Sequence, residues 1–151
     1  MKQSTVITKS PEETEKIAQR IAENLKGGEV IELASDLGGG KTTFTRGLVA
    51  GLKSGEAVAS PTFTISREYS KGRLHVHHFD FYRLQDPGII ADELAEVIGD
   101  PAGIVVVEWA EIIKHVLPEG HLRIDIQVID ESSRQLVLTY PNELQYIVEG
   151  L

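Results

Sequence analysis

Apolar residues recur along this chain in two periods, one near 3.6 and one of 2, and the alternation between them divides it into helices and strands. Thr5 to Thr8 reads as a short strand. Ser10-Pro11-Glu12-Glu13 then combines a capping box with proline at the first helical position, so a helix is predicted to start there. Ile17, Ala18, Ile21, Ala22 and Leu25 form its buried face, and Gly27-Gly28 ends it. A strand from Gly28 to Ala34 follows, although Glu32 breaks the continuous apolar run that a strand buried on both faces should show. A second helix opens at Lys41, turns Phe44, Leu48, Val49 and Leu52 inward, and stops near Gly55.

Ser60 to Ile65 reads as a β-like run with Pro61 holding Ser60 extended, and Leu74 to Leu84 as a strand after Ser70-Lys71-Gly72, so the two are expected to form an antiparallel hairpin. Ile89 to Ile98 has helical spacing. Gly103 to Glu108 is the clearest buried strand, and it ends in a carboxylate. Glu111 to Leu117 is predicted as a short helix stopped by Pro118, and Leu122 to Ile129 with Gln135 to Tyr140 as a second hairpin around residues 130–134. The tail from Asn142 to Leu151 is either a turn of helix or a docking segment.

The joint between Gly28–Ala34 and the helix at Lys41 carries the first chemistry. Gly38-Gly39-Gly40-Lys41-Thr42 is the second half of the phosphate-loop pattern, in which backbone amides at a helix N-terminus face an anion. Lys41 would reach the β/γ-phosphates and the Thr42 hydroxyl a magnesium ion. The first glycine of the pattern should lie five residues before Gly40, and Ser35 stands there. Ser resists positive φ, so the loop entry is expected to be strained or to take another route.

Composition narrows the setting. A length of 151 residues suits one domain with a three-layer α/β core. The formal net charge of −8 argues against independent binding to nucleic acid. With no cysteine there is no disulfide, thiolate metal site or cysteine nucleophile. The stretch MKQSTVITKSPEETEK lacks the apolar core of a signal peptide and no apolar run approaches membrane-spanning length, so a cytoplasmic location is expected.

Two more carboxylates stand out. Glu108 closes an apolar strand, where a phosphate-loop protein places its second magnesium group or the residue that orients water. Asp80 lies between Phe79 and Phe81, so alternation turns it away from them, toward either the magnesium or water shell or a pairing with Arg83. His75, His77 and His78 invite a metal reading, but His77 and His78 point to opposite faces of one strand and no cysteine joins them. Trp109, the only tryptophan, follows Glu108 and reads equally as core.

The ordered set DLGGGKTT, SPTF, HFDFYRL and VEWAE, in a chain of this size, resembles the TsaE (YjeE) family of ATPases of tRNA threonylcarbamoyladenosine biosynthesis, across nearly the whole length. The resemblance implies a single α/β domain of the phosphate-loop NTPase fold: a mixed, mostly parallel central sheet with flanking helices and an antiparallel hairpin portion. It implies ATP/ADP and Mg2+ as ligands, and TsaD and TsaB as partners whose complex the ATPase resets, with tRNA met only through them. Carried onto this chain, Lys41 and the loop from Ser35 and Asp36 through Leu37, Gly38, Gly39 and Gly40 bind phosphates. Thr42 and Glu108 serve magnesium, and Thr43 supports the α-phosphate side. Lys41, Glu108 and Asp80 are then the catalytic set, Asp80 and Trp109 lie by the nucleotide, Pro11 by its base, and Arg134 matches an arginine of the late hairpin. Ser60 to Phe63 resembles the family's switch segment. Ser35 in place of glycine and Gly39 in place of a frequent alanine are the departures.

Other functions share the loop. A GTPase should carry an Asn/Thr-Lys-x-Asp motif, which is absent, and Asp100-Pro101-Ala102-Gly103 precedes the apolar strand where a second GTPase signature should follow one. A small-molecule kinase, with Asp80 as base and Arg83 on phosphate, is the alternative, but it usually needs an Arg-rich lid that this sequence does not show. A non-enzymatic binding module would result if Ser35 disabled the loop.

Overall fold

Seven strands form one sheet in the order β1-β7-β6-β2-β5-β4-β3. The structure, a computed structural model, describes residues 1–36, 38–61, 65–82, 84–86 and 88–151. The strands are β1 (Lys2–Thr8), β2 (Val30–Ala34), β3 (Ser66–Tyr69), β4 (His75–Asp80), β5 (Gly103–Glu108), β6 (Leu122–Val128) and β7 (Arg134–Tyr140); the α-helices are α1 (Pro11–Asn24), α2 (Lys41–Gly51) and α3 (Gly88–Val97). The four inner strands β6, β2, β5 and β4 run parallel, while β1, β7 and β3 join antiparallel at the margins. The sheet is thus mixed and parallel at its centre, with the two expected hairpins at β3–β4 and β6–β7.

The central strands β2, β5 and β4 pack on both faces, whereas β6 buries only the face of Leu122, Ile124 and Ile126. On one side α1 and α2 cover Ile31, Leu33, Ile104, Val106 and Ile124. On the other, α3 and the segment after β5 cover Val30, Phe79, Val105 and Val107. This two-sided burial explains why all six residues of β5 are buried. The α1 start is as expected: Ser10 Oγ accepts from the Glu13 amide at 3.1 Å, with Pro11 next in line.

Several boundaries differ from the sequence expectation, each for a local reason. β1 begins at Lys2 because it pairs with the whole of β7, from Lys2 with Tyr140 to Thr8 with Arg134, a register its polar first half does not advertise. β4 stops at Asp80, not Leu84, because the Asp80 carboxylate accepts from the Tyr82 amide at 2.9 Å and turns the chain. α2 ends at Gly51, where Lys53 turns left-handed at φ 64°. Ile65 is also left-handed, at φ 67°, so the strand expected over Ser60–Ile65 begins at Ser66; residues 62–64 lie outside those described. In place of an α-helix over Glu111–Leu117 there is a single 3-10 turn, Ala110–Ile113, followed by further i to i−3 bonds from Val116 and Leu117. The tail forms a 3-10 segment, Asn142–Val148, docked on α1: Asn24 Nδ2 donates to the carbonyls of Ile147 and Glu149 at 3.0 and 2.9 Å, and Ile147 is fully buried.

Glu32, out of place in an apolar strand, has partners in Arg123 of β6 and in His121 just before it. It accepts from Arg123 Nη1 and meets His121 Nε2, both at 2.9 Å, and Arg123 also grips Asp125 at 3.0 Å. Burial pushes the Glu32 carboxyl up, but the His121 hydrogen bond and the charges of Arg123 and His121 outweigh it and hold it below the ordinary range. His121 is pushed up by the same hydrogen bond. The sign follows for each group. Glu32 contributes stability above its unfolded pKa, lost as pH falls through its depressed folded value. His121 contributes below its unfolded pKa, lost as pH rises through its raised one. Glu32→Gln should therefore destabilise most between the two unfolded values, roughly pH 4.5 and 6.5, by about 2 kcal/mol, and less toward either extreme. Urea unfolding of both proteins across pH checks this; a pH-independent difference would contradict it.

Candidate functional site

Parallel pairing brings the chemistry to one edge of the sheet. β2, β4 and β5 all end there, with Leu33 in register with Glu108 and Glu108 with Asp80. β2 runs into the loop at residues 35–40, and Gly40 caps α2 in the left-handed region at φ 111°, offering no side chain to the first turn. The helix N-terminus therefore faces outward beside two carboxylates, the arrangement open α/β sheets use for ligands.

Lys41, the first residue of α2, is only 7 % exposed. Its ammonium folds back onto the loop entry, donating to Ser35 O at 3.2 Å, Ser35 Oγ at 3.0 Å and Asp36 O at 3.3 Å, and lies 4.8 Å from the centre of the Trp109 ring. Burial pushes its pKa down and the charges of Glu108, Asp80 and Asp36 resist, leaving it below the usual lysine value. Those carbonyl and hydroxyl contacts are ones that an anion could replace.

The two departures in the loop are physically one. Ser35 does not stand in the left-handed region, so the strain expected of it is absent and the loop takes another path. Its side chain occupies the space beside Gly39: a Cβ on Gly39 would lie 2.5 Å from Ser35 Oγ and 2.7 Å from Ser35 Cβ. Gly39→Ala alone should then displace the loop and weaken binding of the nucleotide expected there by about tenfold, roughly 1.4 kcal/mol, while Ser35→Gly with Gly39→Ala should restore it. Calorimetric titration of the two variants decides this; equal affinity in both would contradict the steric pairing.

Glu108 and Asp80 are both buried, at 2 % and 4 % exposure. His78, fully buried, is 2.5 Å from Glu108 Oε2 through Nε2. His78 was not singled out for this site by the sequence, although a strand period of 2 puts it on the face of Asp80 and not of the stacked Phe79 and Phe81. Trp109 is left-handed at φ 56°, which swings its ring out of the strand to lie 4.9 Å from Tyr82 and over Lys41.

These groups enclose a cavity of about 260 Å³, with residues 38–43 and Ser60 on one wall and Asp80, Glu108 and Trp109 on the other. A smaller hollow adjoins it across Gly40 and Thr43, between Pro11 and Thr14 of α1 and Ser132 and Arg134 of the β6–β7 hairpin. Arg134 is fixed there by donating to Gly39 O at 3.0 Å. Lys41, Gly38 to Thr43, Asp80, Glu108 and Trp109 thus converge on the main cavity, and Pro11 and Arg134 on its neighbour. Ser35 and Asp36 do not line the cavity and reach it through Lys41; Leu37, Arg83, Thr62 and Phe63 lie outside the described residues.

Residues 8–136 match the family model described as Threonylcarbamoyl adenosine biosynthesis protein TsaE. The chain belongs to the TsaE family. It is 41 % identical to the tRNA threonylcarbamoyladenosine biosynthesis protein TsaE of Bacillus subtilis over 139 residues, covering 92 % of this chain and 87 % of that protein. The TsaE of Aquifex aeolicus is also 41 % identical, over 133 residues, covering 87 % of this chain and 92 % of its own length. The crystal structure of Bacillus subtilis YdiB superposes with a TM-score of 0.81 at 37 % identity, covering 98 % of this chain and 93 % of that one. Among the described residues no helix is long and apolar enough to cross a membrane.

Proposed function

We propose that this TsaE-family chain is an ATPase of tRNA threonylcarbamoyladenosine formation, hydrolysing ATP with Mg2+ in the cavity between α2 and the ends of β4 and β5. The observation that carries this reading is the placement of one buried ammonium, Lys41, and two buried carboxylates, Asp80 and Glu108, around a glycine-lined helix N-terminus. The donor set fits magnesium, a hard cation that takes oxygen ligands and phosphate together. The Thr42 hydroxyl and Glu108 would hold it, and when bound it would neutralise charge on the β- and γ-phosphates.

The protein's own groups supply the rest. The amides of residues 38–40 and the α2 N-terminus accept the phosphate chain, with Thr43 on the α-phosphate side. The Lys41 ammonium leaves the Ser35 and Asp36 carbonyls for the β/γ oxygens, where charge grows in the transition state. Asp80, fixed by the Tyr82 amide, orients the attacking water; the water oxygen bonds to the γ-phosphorus as the bond from that phosphorus to the ADP oxygen breaks, and the water's proton passes to the phosphate released, leaving ADP and inorganic phosphate. Pro11 and Arg134 flank the base and ribose side.

The relatives' names refer to tRNA modification, yet this chain carries a formal net charge of −8 and is ill suited to grip a phosphate backbone. It therefore acts in the cytoplasm through the TsaD and TsaB proteins, with tRNA held by them. Trp109 gives the first test. ATP with Mg2+ should change its emission in a saturable way, with the same midpoint as calorimetric binding. Binding by calorimetry with unaltered emission would put the nucleotide elsewhere.

A further inference from the structure

At the other end of β4 from Asp80, a second cluster of ligating side chains has no place in nucleotide chemistry. His75 and His77 stand two residues apart on β4 and so share a face. Antiparallel pairing sets Glu68 of β3 opposite His77. One ligand atom from each of Glu68, His75 and His77 lies within 4.8 Å of the others. We propose that Glu68, His75 and His77 bind a divalent transition-metal ion of the Zn2+ class, with Asp100 as the outer carboxylate that orients His77.

The distances suit such an ion. Zinc bonds of 2.0–2.1 Å in a tetrahedron put neighbouring donor atoms about 3.3 Å apart. His75 Nδ1 and Glu68 Oε1 are already 3.3 Å apart, so closing the site needs a movement of roughly 1 Å from groups free to make it. His75 and Glu68 have side chains 42 % and 51 % exposed, whereas His77 is 12 % exposed and is the fixed point. Its Nε2 sits 3.1 Å from where a Cβ on Gly103 would lie, so the glycine makes room for the ring. Asp100 Oδ1 accepts from the Ala102 amide at 2.9 Å, and Oδ2 meets His77 Nε2 at 3.4 Å. That is the arrangement in which a ligating imidazole gives its second nitrogen to a held carboxylate. Two imidazoles and a carboxylate leave one position for water, and the donor types favour zinc, copper or nickel over magnesium. His78, whose side chain is turned inward to Glu108, takes no part.

Bound there, the ion would tie β3 and β4 together and hold them to the loop before β5. The proposal is independent of the nucleotide reading. The test uses the untagged full chain, stripped with chelator and free of nucleotide, titrated with Zn2+ by calorimetry and followed by thermal unfolding. One ion per chain is expected in the micromolar range, with a rise in Tm. His77→Ala and His75→Ala should each weaken binding at least about tenfold and remove the rise, and Asp100→Asn should weaken it by about tenfold. Glu68→Gln, on an exposed side chain that keeps its shape, should weaken it as well, while His115→Ala should leave it unchanged. No heat and no rise in Tm with the wild-type chain, or equal binding by wild type and the His75→Ala/His77→Ala variant, would overturn the site.

Discussion

Replacing Lys41 by alanine is expected to reduce ATP turnover by at least about 10²–10³-fold, the cost of removing a preorganised group that stabilises transition-state charge. No second cation lines the main cavity among the described residues: the wall groups besides Lys41 are glycines, hydroxyls, two carboxylates and an indole. Among the described residues on these walls, none can stand in for it. The loss should appear in kcat and kcat/KM together, since the ammonium must leave Ser35 and Asp36 to act and gains most where charge develops. Single-turnover phosphate release measures this. An unchanged rate would remove this loop from the active site.

The second large effect is expected at Glu108, where two substitutions separate catalysis from folding. Glu108→Gln keeps a partner for His78, whereas Glu108→Ala leaves both nitrogens of a fully buried imidazole without one among the described residues, where Nδ1 already lacks a hydrogen-bond partner. Alanine should therefore cost about 1–3 kcal/mol of stability that glutamine largely spares. Both should lower hydrolysis by about 10²-fold or more, because neither supplies the charge proposed to hold magnesium, while nucleotide binding falls less. Denaturation midpoints and phosphate release on the same samples check the pair. Normal hydrolysis by Glu108→Gln would assign Glu108 to packing alone.

The site was legible where local chemistry repeats a physical requirement. Three glycines before Lys41-Thr42 mark a loop that must approach an anion, and an apolar run ending in Glu108 marks a buried strand whose last side chain reaches the ligand edge. β5 was read to the residue because burial on both faces leaves no polar position to blur its ends. Features that depend on contacts made only by the folded chain were hidden. The coupling of Ser35 to Gly39 is a contact across a turn, visible only once the loop path is known. Glu32 looked anomalous because Arg123 and His121 lie some ninety positions away, on and just before a strand that pairs with its own. His78 was grouped with its histidine neighbours, although its partner comes from β5. The early end of β4 also follows from a side chain bonding its own backbone, which periodicity does not register.

The proposed role of this cavity is to hydrolyse ATP for a larger modifying complex. β3 lies at the sheet margin beside β4, so an external surface is expected to complete the arrangement around Asp80 and shift the population toward the competent state. The direct measurement is phosphate release from ATP and Mg2+ by the pure chain, then with TsaD, with TsaB and with both. Slow release alone and a clear rise with the pair is the predicted result; equal rates in every condition, or transfer of the phosphate to a small metabolite without partners, would contradict it.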